Sequence, residues 1–214
     1  MKSKNFCILL DKSNPWIHPH AVSFFNKLKL QPSDYIVFDP NETFNFDLCF
    51  LLGYTKILSK KELSLDTSYY VIHESDLPKG KGFSPLTWQI LEGRSEVDIC
   101  LIELSEKVDS GKIVLRDKIK FSGYELYEEL RLKQAAASFD LIHGFLDLYP
   151  EISTDEQSGE STYYKRRTPK DSKLDVDKTI KEQFDLLRVC DNDNWPAFFE
   201  INGKEYILKI YRSD

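Results

Sequence analysis

The chain has 214 residues, a mass of 25.0 kDa, 41% hydrophobic and 30% charged residues, which is the composition of one soluble globular domain with at most a small appendage. Its formal net charge of −6 argues against a protein that binds nucleic acid through a basic face. The longest N-terminal apolar run, Phe6 to Leu10, stops at Asp11 and is too short for a signal peptide or a membrane helix. We therefore expect a cytoplasmic protein with neither nucleic acid nor membrane as a partner.

The cysteines and histidines do not indicate a metal or redox site. No two cysteines have the CxxC spacing, and each lies beside apolar residues. His18 and His20 lack an identifiable cysteine or carboxylate partner, so we interpret them as loop histidines. We expect no metal, and reduced, packed thiols at Cys7, Cys49, Cys100 and Cys190.

The first 75 residues contain four short apolar runs and one stretch with apolar residues at helical spacing. The runs are residues 5–10, 35–38, 48–52 and 69–72. Runs of this length are typical of strands that are covered on both faces. Apolar residues recur at helical spacing over 21–30, which predicts a helix after the first strand. Strands that alternate with helices predict an open α/β sheet.

The middle of the chain carries a helix start and a helix stop. Ser84 followed by Pro85 is typical of a first turn, and Gly93 of a C-terminal stop, so a helix is predicted over 85–92.

Two further strands and a long helix follow. The strands are predicted over 97–103 and 113–119, on either side of a turn at 106–111. Ser122 and Glu125 form a capping box that is expected to open the long helix.

The composition changes after Pro150. Residues there are mostly Ser, Thr, Asp, Glu, Gly and Lys without a sustained apolar period, which predicts a linker or long loop. A capping box at 179–182 then opens a helix, and Asn202-Gly203 predicts a hairpin between 197–201 and 204–211. We expect a Rossmann-like open sheet with helices on both faces, followed by a linker, a helix and a small β-hairpin. The predicted units are a core over 1–150, a linker over 151–178 and the C-terminal part over 179–214.

Polar residues and glycines crowd the segment from His73 to Pro85. It joins the end of a predicted inner strand to a helix start, which is where open α/β sheets bind ligands. The Gly-x-Gly at 80–82 is only weak evidence for a nucleotide or phosphate site, since the other residues of a dinucleotide motif or a phosphate loop are missing. The loop after the first strand should face the same crevice, where Asn14 or Trp16 could touch a substrate; a turn with a core tryptophan is the alternative.

Two blocks of this region resemble the formyltransferases that use 10-formyltetrahydrofolate. The family motif around the catalytic histidine is Asn-x-His-x-Ser-x-Leu-Pro, then a loop with glycine and a helix that begins with proline. This sequence has, in that order, His73, Ser75, Leu77-Pro78, Gly82 and Pro85. The family's Asp-x-Gly turn is similar to Asp109-Ser110-Gly111, at the family's usual interval from the histidine.

The resemblance implies a reaction and roles for individual residues. An amine would attack the formyl carbon of 10-formyltetrahydrofolate, without a metal. His73 would handle the proton or stabilise the oxyanion, and Asp109 would orient and charge-stabilise His73. The residues expected on the folate side are Gly53, Tyr54, Thr55, Ile57, Leu58 and Asp109.

One position departs from the family pattern. The family asparagine would stand at Val71, which shares a strand face with His73 but cannot donate a hydrogen bond to the formyl oxygen. Losing one such donor typically costs ~10²–10³ in rate. The candidates to replace this donor are Ser75, a backbone N–H and a water. The alternative is a catalytically weak or silent folate- or sugar-nucleotide-binding relative.

The C-terminal third resembles the sugar-nucleotide formyltransferases. The carriers of this likeness are the segment 164–175 and Pro196 to Phe199, while loop 76–82 is similar to small formyltransferases of glycan clusters, including the pseudaminic acid type. The implied acceptor is the amine of an amino sugar on UDP or dTDP, for a bacterial surface glycan such as lipopolysaccharide. The residues expected at the acceptor are Asn14, Trp16, Lys79, Lys81, Gly82, Tyr164, Arg166 and Arg167.

A methionyl-tRNA formyltransferase is the nearest rival. That enzyme needs a large basic domain to bind tRNA, whereas the residues after Pro150 carry no basic stripe. The sugar, the nucleotide and a homodimeric state stay open at this point.

Overall fold

The computed structural model describes residues 5–213. Its α-helices are α1 (His18–Lys27), α2 (Pro85–Leu91), α3 (Tyr127–Leu148) and α4 (Phe184–Arg188). Its strands are β1 (Phe6–Leu10), β2 (Ile36–Val37), β3 (Leu48–Leu52), β4 (Ser68–His73), β5 (Lys81–Gly82), β6 (Glu96–Glu103), β7 (Ile113–Lys120), β8 (Tyr163–Tyr164), β9 (Ala197–Ile201) and β10 (Lys204–Leu208).

The central sheet has six strands in the order β2-β1-β3-β4-β6-β7. The first four are parallel, and β6 and β7 run antiparallel to their neighbours. The carboxyl ends of β1, β3 and β4 therefore lie side by side at one edge. The prediction of an α/β fold with a mostly parallel, Rossmann-like sheet is confirmed.

The strands are apolar on both faces because both faces are covered. In β1, the side chains of Phe6, Ile8 and Leu10 pack into the cluster that includes residues of α1, α2 and α3. Cys7 and Leu9 point to the opposite face, which is covered by loops and by the segments around two 3₁₀ helices. All four cysteines are buried free thiols, as predicted.

Two local predictions differ from the structure. His18 and His20 do not lie in a loop but in the first turn of α1. The Glu125 carboxylate accepts the N–H groups of Ser122 and Gly123 as a capping box does, yet α3 begins only at Tyr127. The turn at 122–125 is therefore separate from the helix that follows it.

Glu125 instead connects the C-terminal residues to the core. It is buried and contacts Lys133 of α3 and Arg188 of α4, the latter at 3.6 Å. Burial alone would raise the pKa of Glu125, but the hydrogen bonds from Lys133 and from backbone N–H groups lower it to about 2. An ionised carboxylate between two cations thus anchors α4 on α3.

The segment 151–178 has little regular structure but lies against the core. Asp155 forms an isolated antiparallel bridge with Ile113, and β8 pairs in parallel with β5. The hairpin of β9 and β10 turns at Asn202 and Gly203, both with positive φ, as the Asn-Gly pair predicted. Within residues 5–213, no helix is long and apolar enough to cross a membrane.

Candidate active site

His73 is the last residue of β4, at the edge where the parallel strands end. Because side chains alternate along a strand, it lies on the same face as Val71, opposite the α-helices. His73 is only 5% exposed. The ring Nε2 lies 2.9 Å from the carbonyl oxygen of Gly80. A carbonyl can only accept, so Nε2 carries a proton in this contact.

Asp109 reaches His73 from the turn between β6 and β7. Its backbone has φ +51°, in the left-handed region that aspartate tolerates better than most residues. One carboxylate oxygen, Oδ1, is 3.6 Å from Nδ1 of His73, which is too long for a hydrogen bond but within ion-pair range. The other, Oδ2, accepts the N–H of Gly82 at 2.8 Å. The carboxylate therefore lies between the imidazole and the glycine loop.

The turn that carries Asp109 is held by close backbone packing and by one side chain. A Cβ on Gly111 would lie 1.7 Å from the carbonyl oxygen of Glu103, so only glycine fits there. The Gln157 amide donates to the carbonyl oxygens of Asp109 and Gly111, at 3.0 and 2.8 Å. Gln157 has no sequence signal, because its partners are backbone atoms that are distant in sequence.

The glycine loop after β4 is held by the segment predicted as a linker. The Thr162 hydroxyl accepts the N–H of Gly80 at 2.8 Å, and the Thr162 carbonyl accepts the N–H of Lys81 at 2.9 Å. At Gly82, a Cβ would lie 2.4 Å from the carbonyl oxygen of Tyr164. This segment therefore fixes the loop that contacts both His73 and Asp109.

Ser75 lies beneath the same loop with an unpaired hydroxyl. The residue is 2% exposed, and its Oγ has no hydrogen-bond partner within residues 5–213. The position of a Cβ on Gly80 would be 3.3 Å from this oxygen. A buried hydroxyl without a partner costs free energy, so a hydrogen bond from a ligand would stabilise this group.

Val71, at the position where the family has asparagine, has no polar role. Its side chain is half-buried and packs against the apolar cluster of Leu77, Ile102 and Ile113. The site therefore lacks an amide donor on this strand.

A second polar centre lies where β1 and β3 end. The buried Asp11 carboxylate accepts hydrogen bonds from the backbone N–H and the hydroxyl of both Ser13 and Thr55. Gly53 has φ +58°, and its carbonyl accepts the Asn14 amide at 2.8 Å. Asp11 was not among the predicted site residues, although its place after the first strand was a usable signal.

Substituting Asp11 by asparagine should remove a pH-dependent part of the stability. Burial alone would raise the Asp11 pKa, but the hydrogen bonds from Thr55 and Ser13 lower it from 3.8 to about 2. The ionised form therefore stabilises the fold above pH 3.8, by about 2 kcal/mol, and this contribution is lost as the pH falls from 3.8 towards 2. Denaturant unfolding should show the Asp11→Asn deficit at pH 7 and a smaller one at pH 3. A deficit that is equal at both values, or that also appears in the exposed control Asp66→Asn, contradicts this.

The loop predicted on the folate side lies beside this centre. Tyr54 and Leu58 are half-buried and pack against the cluster that contains Leu9, whereas Ile57 is 79% exposed. Within residues 5–213, no group of three or more His, Cys, Asp or Glu side chains is arranged to hold a metal ion.

The side chains predicted at the acceptor are not all available. Lys81 is 4% exposed and donates to the Ser110 hydroxyl, because its strand points it under the turn; we therefore leave it out of the acceptor site. Arg167 donates to the Asp171 carbonyl and the Ser172 hydroxyl.

Three other predicted acceptor residues lie on or near the surface. Lys79 is exposed. The exposed Arg166 places its guanidinium 4.3 Å from the centre of the Phe83 ring. The Tyr164 hydroxyl donates to the Glu92 carboxylate, and burial together with this contact raises its pKa to about 12.

Comparison with known proteins adds a family and a fold. The family model described as formyl transferase matches residues 23–139, more than half of the chain. The methionyl-tRNA formyltransferase from Clostridium thermocellum is similar with a TM-score of 0.80 and 24% identity, over 99% of this chain and 94% of that chain. A sugar N-formyltransferase from Shewanella sp. matches with a TM-score of 0.67 and 14% identity, over 98% of both chains. HypX from Aquifex aeolicus, in complex with tetrahydrofolic acid, matches with a TM-score of 0.71 and 14% identity, over 97% of this chain and 38% of that chain.

Proposed function

The chain belongs to the formyl transferase family and is a formyltransferase enzyme; from this we propose that it moves the formyl group of 10-formyltetrahydrofolate to the amine of an amino sugar on UDP or dTDP. The product would serve a bacterial surface glycan such as lipopolysaccharide. The observation that carries the proposal is the contact of His73 with Asp109 at the end of the inner strand β4. A folate donor is supported by the tetrahydrofolic acid bound to the HypX relative, and a sugar acceptor by the match to the Shewanella sugar N-formyltransferase over 98% of both chains.

The residues of the site suit a formyl group and an attacking amine. The folate donor, when bound, would supply the formyl carbon; as the amine nitrogen bonds to this carbon, the bond from the carbon to the folate nitrogen breaks and tetrahydrofolate leaves. His73 would accept the amine proton at Nε2, which requires that the Gly80 carbonyl gives up its present contact and that the ring proton lies on Nδ1, facing Asp109, instead of on Nε2. Asp109, facing Nδ1, would stabilise the imidazolium that results. The unpaired Ser75 hydroxyl would donate to the formyl oxygen as negative charge develops there.

A methionyl-tRNA acceptor is the second candidate. It is favoured by the match to the Clostridium enzyme over 99% of this chain. The net charge of −6 argues against it, because contacts with phosphate backbones require clustered basic residues. A catalytically silent binding protein is the remaining alternative, favoured by the valine at position 71.

One assay separates these functions. The protein is incubated with 10-formyltetrahydrofolate and, in separate reactions, UDP-linked and dTDP-linked 4-amino sugars and methionyl-tRNA, and the acceptor is analysed by mass spectrometry. We expect a mass gain of one formyl group on a sugar nucleotide. A gain on methionyl-tRNA alone would reassign the acceptor, and no gain on any acceptor would favour the silent alternative.

Ser75→Ala tests the replacement of the missing amide donor. We expect kcat to fall by about 10²-fold, the scale of a lost oxyanion donor, with little change in thermal stability because the hydroxyl has no partner in the folded protein. Ser138→Ala is the matched control, since Ser138 is equally buried but bonded to the Gln134 carbonyl within α3. Unchanged kcat in Ser75→Ala would leave the backbone or a water as the donor.

A further inference from the structure

Arg131 of α3 lies at the same edge of the sheet, on the helix-covered face. Its guanidinium is 4.7 Å from the centre of the Trp16 ring and 5.0 Å from that of Tyr127. Trp16 follows β1, and its Nε1 lies 3.6 Å from the position of a Cβ on Gly53, at the end of β3. The guanidinium is therefore placed beside the carboxyl ends of two neighbouring parallel strands.

A chain of hydrogen bonds connects Arg131 to the residue after His73. Arg131 Nη1 donates to Gln134 Oε1 at 2.7 Å, and Gln134 Nε2 donates to Glu74 Oε1 at 2.6 Å. Gln134 is 5% exposed, so this amide is held in place by burial. The orientation of the guanidinium is thus set relative to β4.

Arg131 has a charge without a counter-ion. Among residues 5–213, no carboxylate oxygen lies within 4 Å of a guanidinium nitrogen of Arg131, the limit for an ion pair. Asp191 interacts with the Arg131 charge only at longer range. The Nε atom is buried and has no hydrogen-bond partner in the same part of the chain. A partly buried guanidinium is costly unless an anion pairs with it, so the arrangement favours an anionic ligand.

Two buried cations already have partners: Lys81 donates to Ser110, and Arg188 pairs with Glu125 and Asp185. Arg167 is partly buried and also has an unpartnered Nε, but its Nη2 donates to two oxygens, those of the Asp171 carbonyl and the Ser172 hydroxyl. Arg166 is the rival for an anion, but it is exposed and rests on the Phe83 ring.

We propose that Arg131, with the Trp16 N–H beside it, is the subsite for the phosphate groups of the acceptor. This rests on the proposed function for the identity of the anion as a nucleotide diphosphate. A guanidinium matches phosphate oxygens with two parallel donors, which a lysine cannot do. The subsite holds the anionic part of the acceptor on the helix-covered face, while the reacting amine meets His73 across the end of β4.

Titration with inorganic pyrophosphate tests the subsite without any catalysis. Binding is followed by the intrinsic tryptophan fluorescence of the full chain, to which the Trp16 indole beside Arg131 contributes. We expect Arg131→Gln to weaken pyrophosphate binding by about 10- to 100-fold, the scale of lost hydrogen bonds to a charged group. Arg166→Gln tests the rival arginine, and its pyrophosphate affinity should stay within about 2-fold of the wild-type value. An unchanged affinity in Arg131→Gln, or a loss in Arg166→Gln instead, overturns the proposal.

A second variant and a second measurement keep the outcomes separate. Arg131→Lys retains the aliphatic stem and the charge of the side chain, so this variant should fold. Because lysine lacks the two parallel donors, pyrophosphate binding should still weaken about 5-fold. An unchanged affinity in Arg131→Lys contradicts the subsite even if Arg131→Gln unfolds. If pyrophosphate binding depends on Arg131 but no acceptor is formylated, the proposed function fails and the subsite stands. If formyl transfer occurs and Arg131→Gln changes neither this affinity nor the acceptor KM, the subsite fails and the function stands.

Discussion

Replacing His73 by glutamine is expected to lower kcat/KM for formyl transfer by about 10³-fold, within the range that a positioned acid–base group contributes. A glutamine amide can still donate to the Gly80 carbonyl, so the contact that orders the glycine loop has a substitute. It cannot accept the proton that leaves the attacking amine. The loss should therefore be in kcat, with the binding of tetrahydrofolate changed by no more than a few-fold.

The control for this prediction is a second imidazole–carboxylate pair in the same chain. His143 lies 3.4 Å from Asp147 on the exposed side of α3, away from the sheet edge. His143→Gln makes the same chemical change and should leave turnover unaltered. Equal losses in both variants, or a His73→Gln enzyme with wild-type turnover, would remove His73 from the mechanism proposed above.

Gly111→Ala is expected to destabilise the fold by about 3 kcal/mol, as severe overpacking does. The added methyl carbon would lie 1.7 Å from the Glu103 carbonyl oxygen, a backbone atom that cannot rotate away. The turn between β6 and β7 must then open, and Asp109 moves with it. For a chain of this length, the melting temperature should fall by about 6–12 °C, and formyl transfer should fall even at temperatures where the variant is folded.

A second glycine of the chain provides the control. Gly144 lies inside α3, and a Cβ there would meet only the Leu115 side chain, at an ordinary 3.8 Å. Gly144→Ala should raise stability by roughly 0.5–1 kcal/mol, because alanine loses less backbone entropy in a helix. Thermal melts of both variants provide the test; a Gly111→Ala protein as stable as the wild type would mean that the turn is not constrained as described.

Patterns local in sequence predicted most of the secondary structure. The runs at 5–10 and 48–52 became strands covered on both faces, and the Asn202-Gly203 pair marks the hairpin turn. A pattern that marks a helix start can be displaced by the next one along the chain. The Glu125 carboxylate accepts the Ser122 N–H, but α3 begins only at Tyr127, where Leu126 is the N-cap and its N–H donates to the Glu129 carboxylate.

The residues of the candidate site were also predicted only in part. His73, Ser75 and Asp109 stand in short motifs that resemble those of the formyltransferases, and this resemblance selected them. Lys81 was selected on charge alone, and the structure buries it because the direction of a side chain depends on the strand register.

From the sequence alone come the α/β architecture, the edge of the sheet where a ligand would bind, and the histidine and aspartate that stand near it. The architecture and the sheet edge follow from hydrophobic periodicity and turn chemistry, which act between residues close together in the chain, whereas the histidine and aspartate were selected through the resemblance to the formyltransferase motifs. Only the tertiary structure places Gln157 on the Asp109 turn, Thr162 on the glycine loop and Arg131 against Trp16. Those contacts join residues that are far apart in sequence, and many of them use backbone atoms, which are the same in every residue and leave no mark on the amino-acid pattern.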